Sequence, residues 1–82
     1  MPWKVYLLRC GDGSLYTGIT NDLPTRLVRH SAGTASAYTR SRLPVRLVYQ
    51  EPQPTRSAAL QREAELRRLP RTGKLALVRR AR

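Results

Sequence analysis

The chain has 82 residues, enough for one domain with one modest core, so a functional site has to lie on the rim of that core. Sixteen Lys and Arg stand against five acids for a formal net charge of +11, and fourteen of the sixteen are arginine, whose planar fork of donors suits phosphate. That balance points to a polyanionic partner, nucleic acid ahead of an anionic membrane surface. No apolar run approaches the ~20 residues of a membrane span, and a lone Cys10 excludes both an internal disulfide and a Cys-rich zinc site.

Met1 leads directly into strand pattern, so no secretory leader is expected and the expected location is the cytoplasm. A first strand is predicted over about Trp3 to Cys10 and a second over about Ser14 to Ile19, joined around Gly11, Asp12 and Gly13. Asp22 offers an N-cap and Pro24 suits a first turn, so a helix should run to about Ser31. The small, polar stretch AGTASAYTRSRLP reads as a long surface loop. VRLVYQE, Val45 to Glu51, is β-branched and aromatic and reads as a third strand that Pro52 and Pro54 end. Thr55 or Ser57 caps a second long helix, SAALQREAELRRL, closed by Pro70. Thr72 can cap a short last helix, GKLALVRR, whose Leu75, Leu77 and Val78 should dock on the core. The order is ββαβαα. It describes a small α/β (α+β) domain with a three-stranded, mainly antiparallel sheet flanked by helices.

Side-chain direction raises one question. Residues two apart on a strand share a face, so Tyr6 goes with Leu8 and Tyr16 with Gly18. A two-residue turn at Asp12-Gly13 would put the two phenols on opposite faces. A three-residue turn, Gly11-Asp12-Gly13, would set Tyr6 opposite Gly18 and Tyr16 opposite Leu8, all on one face. Gly13 can supply the left-handed residue of the longer turn, while Asp-Gly is also a strong signal for the shorter one. Local chemistry leaves both open.

At 100° per residue, Ala59, Leu60, Glu63 and Leu66 share one face of the second long helix. A carboxylate in that stripe is costly unless paired or metal-bound. Glu63 is therefore either one half of a buried ion pair, with Arg67 or Arg26, or a metal ligand or catalytic acid. Glu65, on the other side near Gln61, Arg62 and Arg68, reads as a solvated charge. On the first helix Leu23 and Leu27 make the apolar stripe. Arg26 and His30 sit at its edge, four apart, and project from the same face.

Taken together, Tyr6 in VYLL, Tyr16 and Gly18 in LYTGIT, Arg26 and His30 in RLVRH, and Glu63 in ALQREAELRRL resemble the GIY-YIG nuclease domain. The likeness is closest to the small stand-alone bacterial members and covers nearly the whole chain, so residues 1–82 read as a single domain. The same domain begins an excision-repair nuclease, which acts in DNA repair, and several homing and restriction endonucleases. The resemblance implies a central antiparallel three-stranded sheet with both tyrosines on the site face. It implies that Glu63 holds a single divalent metal and Arg26 contacts the scissile phosphate. Tyr6, Tyr16 and His30 would then serve around the attacking water. Two departures stand in the signatures: Lys4-Val5-Tyr6 lacks the first glycine, and Tyr16-Thr17-Gly18 has Thr in the middle. Some relatives carry an asparagine beyond the glutamate; here none follows Asn21.

The implied activity is hydrolysis of DNA phosphodiester bonds, in a structure-selective form, by a Mg²⁺-dependent endonuclease. One carboxylate cannot hold two ions ~4 Å apart, so a single Mg²⁺ (or Mn²⁺) fits the residues better. Arg26 would stabilise transition-state charge. A phenol near pKa 10 is a poor base at neutral pH unless its surroundings lower it, and either Tyr6 or His30 can be the general base. Gly18 leaves space where a Cβ would crowd the site. Tyr38 in AYTRSR can stack on a base while Arg40 and Arg42 take phosphates; alternatively Tyr38 folds back over the sheet edge. The terminal RRAR reads as an electrostatic tail. The readings from other classes are a catalytically silent basic module binding DNA or RNA, and an accessory protein of RNA or ribosomes. All three predict salt-dependent binding.

Overall fold

A computed structural model of the protein describes residues 2–80. Three strands form one sheet: β1 (Trp3–Arg9), β2 (Leu15–Thr20) and β3 (Arg46–Gln53), in the order β2-β1-β3 with both pairings antiparallel. Four helices complete the chain: α1 (Leu23–Ser31), α2 (Ala37–Arg40), α3 (Arg56–Arg68) and α4 (Arg71–Arg80). The predicted architecture holds, with one addition. The stretch read as a loop contains α2, capped by Ser36, whose side-chain oxygen accepts from Tyr38 N and Thr39 N.

The central strand explains the core. Val5, Tyr6, Leu7 and Leu8 are all fully buried, because β1 has a strand on each side and helices on each face. Val5 packs with Ala59 and Leu66 of α3, joined by Trp3, Ile19, Leu69 and Leu77. Tyr6 and Leu8 pack on the other face with Leu23, joined by Tyr16, Leu27, Val45 and Leu47. Burying each large side chain contributes about 1.5–3 kcal/mol. Leu77 and Val78 dock α4 as expected. Leu60 does not belong to the core: it is 39% exposed, one position and 100° past Ala59.

The hairpin takes the three-residue turn. Cys10 N donates to Ser14 O at 2.9 Å and Gly13 N to Cys10 O at 2.9 Å, with Gly13 at φ +85°. Tyr6 consequently faces Gly18 and Leu8 faces Tyr16, so both phenols lie on one face. Asp12 closes the turn by accepting from Ser14 N and Ser14 Oγ. Those bonds, first, and the Arg42 guanidinium hold its carboxyl below the ordinary range.

One strand end differs from expectation, and of the two caps expected for the long helix one forms. β3 continues through Pro52 to Gln53, which an outer strand tolerates because a residue without N–H can turn its nitrogen away from the ladder. Thr55, not Ser57, caps α3 by accepting from Ala58 N at 3.1 Å. Glu51 then ties the two elements together: its Oε1 accepts from Arg62 Nε at 2.5 Å and its Oε2 from the Tyr49 hydroxyl at 3.1 Å. Arg79 and Arg80, read as part of a tail, belong to α4, and positions 81 and 82 lie outside the described residues.

Candidate active site

The site grows from β1, β2 and α1. Tyr6 points from the middle of β1 onto β2, where a Cβ at Gly18 would lie 2.5 Å from its Cζ and its hydroxyl. Gly18 is therefore the floor under the phenol. Asp22 caps α1 through Thr25 N at 3.3 Å, and the helix delivers His30 to the same place. The Tyr6 hydroxyl and His30 Nε2 are 2.8 Å apart, and His30 Nδ1 lies 2.9 Å from Thr39 Oγ1.

These distances suit one assignment of the protons. Thr39 Oγ1 gives its hydrogen to Ser36 O at 3.3 Å, so toward His30 it accepts. Nδ1 then carries the proton, and Nε2 accepts from the Tyr6 hydroxyl. Both pKa values are shifted in the sense that keeps this arrangement neutral. Burial pushes the Tyr6 phenol above 10.0, opposed by the Arg26 guanidinium and reinforced by the charges of Tyr16 and Glu63. Burial, then the Arg26 charge, holds His30 below 6.5.

Around this buried pair stand the more open groups. The Tyr16 ring meets His30 edge-on at 5.4 Å. Arg26 Nε is buried with no hydrogen-bond partner among the described residues, a donor whose isolation costs about 1–3 kcal/mol until an acceptor arrives. Glu63, 17% exposed, has its Oε2 3.3 Å from Arg67 Nη2, so of the two ion pairs expected for it the Arg67 one forms. Its Oε1 accepts no hydrogen bond from the described residues. Among those residues no three His, Cys, Asp or Glu side chains gather as a metal-binding group. Glu63 is thus the one carboxylate at this place, among the described residues, that can hold a cation. One carboxylate with an open oxygen suits Mg²⁺, which keeps several waters and takes substrate oxygens.

The outer residues divide. Tyr38 folds back: its ring lies 5.8 Å from Tyr16 at 30°, and the Arg42 guanidinium sits 3.8 Å above it. Arg42 is spent internally, on Asp12 Oδ2 at 3.1 Å and on Tyr38 O and Ser41 Oγ at 3.0 Å each. It clasps α2 to the hairpin with its side chain about a third exposed. Arg40 is exposed, its stem against Gly33. Thr39 escaped the sequence reading, although Ser36 ahead of Ala-Tyr-Thr-Arg is a helix-cap signal that could have found it.

Residues 2–76 match the model of the GIY-YIG catalytic domain. This chain belongs to the GIY-YIG family. Within it, the UPF0213 protein of Streptococcus sanguinis is 51% identical over 74 residues, which span 90% of this chain and 85% of that one. The UPF0213 protein of Xanthomonas axonopodis pv. citri is 49% identical over 75 residues, 92% of this chain and 74% of that one. The solution structure of a UPF0213 protein from Bacillus halodurans superposes with a TM-score of 0.60 at 42% identity, covering 95% of this chain and 83% of that one. The solution structure of a protein from E. faecalis gives 0.63 at 38% identity, covering 90% of this chain and 79% of that one. The matched span of this GIY-YIG chain includes Tyr6, Tyr16, Gly18, Arg26, His30 and Glu63. Tyr6 and His30 are bonded, with Gly18 under the phenol and Tyr16 beside the imidazole. The charges of Arg26 and Glu63 act on Tyr6. No helix among the described residues is long and apolar enough to cross a membrane.

Proposed function

We propose that this GIY-YIG protein binds nucleic acid through its arginine-rich surface and that the hollow around Tyr6 hydrolyses a phosphodiester bond, DNA being the favoured substrate. The binding half rests on the net charge of +11 carried almost wholly by arginine. The hydrolytic half rests on one observation: Tyr6, His30 and Tyr16 touch, with Arg26 and Glu63 close enough to bias the Tyr6 phenol.

Each residue has work to do in that reading. Arg26 carries an unmade donor and positive charge, suited to a phosphate oxygen and to the extra charge of the transition state. Glu63 would hold one Mg²⁺ or Mn²⁺, which supplies charge neutralisation and a more acidic water. His30, neutral and with Nε2 turned to Tyr6, can take the phenolic proton. Tyr6 can in turn take one from an attacking water, so the base is the pair rather than either member. Tyr16, half-buried beside His30, can hydrogen-bond the phosphate. Gly18 seats the Tyr6 ring.

A second reading is favoured by specific features: a nucleic-acid-binding module without hydrolysis. Tyr6 and His30 are fully buried, so water reaches the phenol only if a side chain moves, and Arg67 already neutralises Glu63. The experiment that separates them has two parts. Titration of labelled duplex, branched and single-stranded DNA and of RNA at rising salt should give steeply salt-dependent binding. The same DNAs incubated with Mg²⁺ should be cut if the first reading holds. Binding with no cutting under any divalent ion gives the second, and weak, salt-independent binding removes both.

A further inference from the structure

Beyond the Tyr6 hollow, a cleft of about 340 Å³ opens between β2 and the α3–α4 pair, lined by Leu15, Tyr16, Thr17, Tyr38, Arg67 and Lys74. We propose that this cleft is a binding subsite for one unpaired nucleotide flanking the reacting phosphate. The inference rests on the nucleic-acid reading above and adds to it where, and in which state, the strand is held.

The lining has the chemistry of a nucleotide. One wall is apolar and aromatic: Leu15 and the rings of Tyr16 and Tyr38, the latter 38% exposed, with Arg42 over its ring and Tyr16 tilted 30° beside it, so that a base displacing Arg42 would stack there. Aromatic walls of this kind take base faces without regard to sequence. The opposite rim is cationic. Arg67 is 59% exposed while one nitrogen meets Glu63, and Lys74 has no carboxylate within ion-pair distance among the described residues. A third feature is independent of both. Thr17, 4% exposed, is one of the lining residues, and its buried hydroxyl has no hydrogen-bond partner among the described residues. Such a group is a standing demand for an oxygen or a water.

Position and size narrow the ligand further. Tyr16 belongs both to the cleft and to the His30 contact, and Arg67 joins the cleft to Glu63. A phosphate at Glu63 and Arg26 would therefore have its neighbour's sugar and base beside this wall. The volume is at the low end of the ~300–1,000 Å³ of small-ligand pockets. A base still paired and stacked in a duplex cannot turn its face to the tyrosines. The fit is to a frayed or single-stranded flank.

The test is anisotropy in EDTA, where no cleavage can occur, with a labelled oligothymidine and a duplex of equal length. The double variant Arg67→Met with Lys74→Met is compared with Arg79→Met with Arg80→Met, which removes the same charge from the end of α4. The cleft pair should weaken the single strand about tenfold more than the control pair, as loss of one seated nucleotide requires, and should affect the duplex no more than the control does. A 2-aminopurine in the oligonucleotide should lose fluorescence on binding the wild type and keep it with Tyr38→Leu. Equal losses from both pairs, or fluorescence indifferent to Tyr38, overturn the subsite while leaving nucleic-acid binding in place. Failure of the wild type to bind any oligonucleotide overturns both. If the Arg67 variant does not fold, Lys74→Met alone and the fluorescence arm decide.

Discussion

Tyr6 and His30, twenty-four residues apart in sequence, share a 2.8 Å hydrogen bond in a fully buried setting. The direction of that bond is set one residue further out. With its proton on Ser36 O, 3.3 Å away, Thr39 accepts from His30. Replacing Thr39 by Val keeps the shape and strands a buried N–H. Stability should fall by about 1–3 kcal/mol, with Thr39→Ser losing much less. Urea unfolding measures the loss, and imidazole nitrogen shifts should report a mixture of tautomers in Thr39→Val.

His30 also predicts a pH dependence. Its folded pKa lies below 6.5, because burial and the Arg26 charge oppose protonation. The unfolded chain therefore takes the proton first as pH falls. The stabilisation is fully present above about pH 6.5 and is lost as pH drops from there through the folded value. Denaturation series across that window should show the decline in the wild type and flatten it in His30→Gln. Asp12 titrates lower, so its contribution does not overlap.

Two glycines separate packing from backbone strain. A methyl at Gly18 meets the Tyr6 phenol at 2.5 Å, whereas at Gly13 it meets nothing within 4 Å but φ is +85°. Gly18→Ala should cost about 1–3 kcal/mol by overpacking and break the Tyr6–His30 bond. Gly13→Ala should cost about 1–2 kcal/mol and leave that bond intact. Calorimetry gives the stabilities, and the chemical shift of His30 tells whether its partner has moved.

The Arg67–Glu63 pair should compete with a cation. Arg67→Gln is expected to tighten Mn²⁺ binding by about two- to fivefold, the worth of a partly exposed ion pair, and Glu63→Gln to abolish it. Electron paramagnetic resonance of added Mn²⁺ reads this without any substrate. Unchanged affinity in Glu63→Gln would mean the ion sits elsewhere.

Much of this was legible in the residues. The strands, the Asp22 cap and the long third helix follow from periodicity and turn chemistry, which are local. The hairpin register was not, because Asp-Gly and Gly-Asp-Gly turns are both good. What decides it is long-range: Tyr6 needs the gap at Gly18. The helix α2 escaped because four residues carry no periodicity, and with it went Thr39, the residue that orients His30. Pro52 misled because an outer strand tolerates what a central one does not. Arg42 pairs with Asp12, thirty residues away, and no local pattern announces such a pair.

Tyr6, His30, Arg26, Tyr16 and Glu63 are proposed to act together in hydrolysis. The most direct test is a single-turnover cleavage time course on branched DNA with Mg²⁺, run on the wild type, Tyr6→Phe and Glu63→Gln, with binding measured in the same samples. Cutting is expected from the wild type alone, at matched occupancy of all three. Cutting that survives in both variants, or none in the wild type despite full binding, contradicts it.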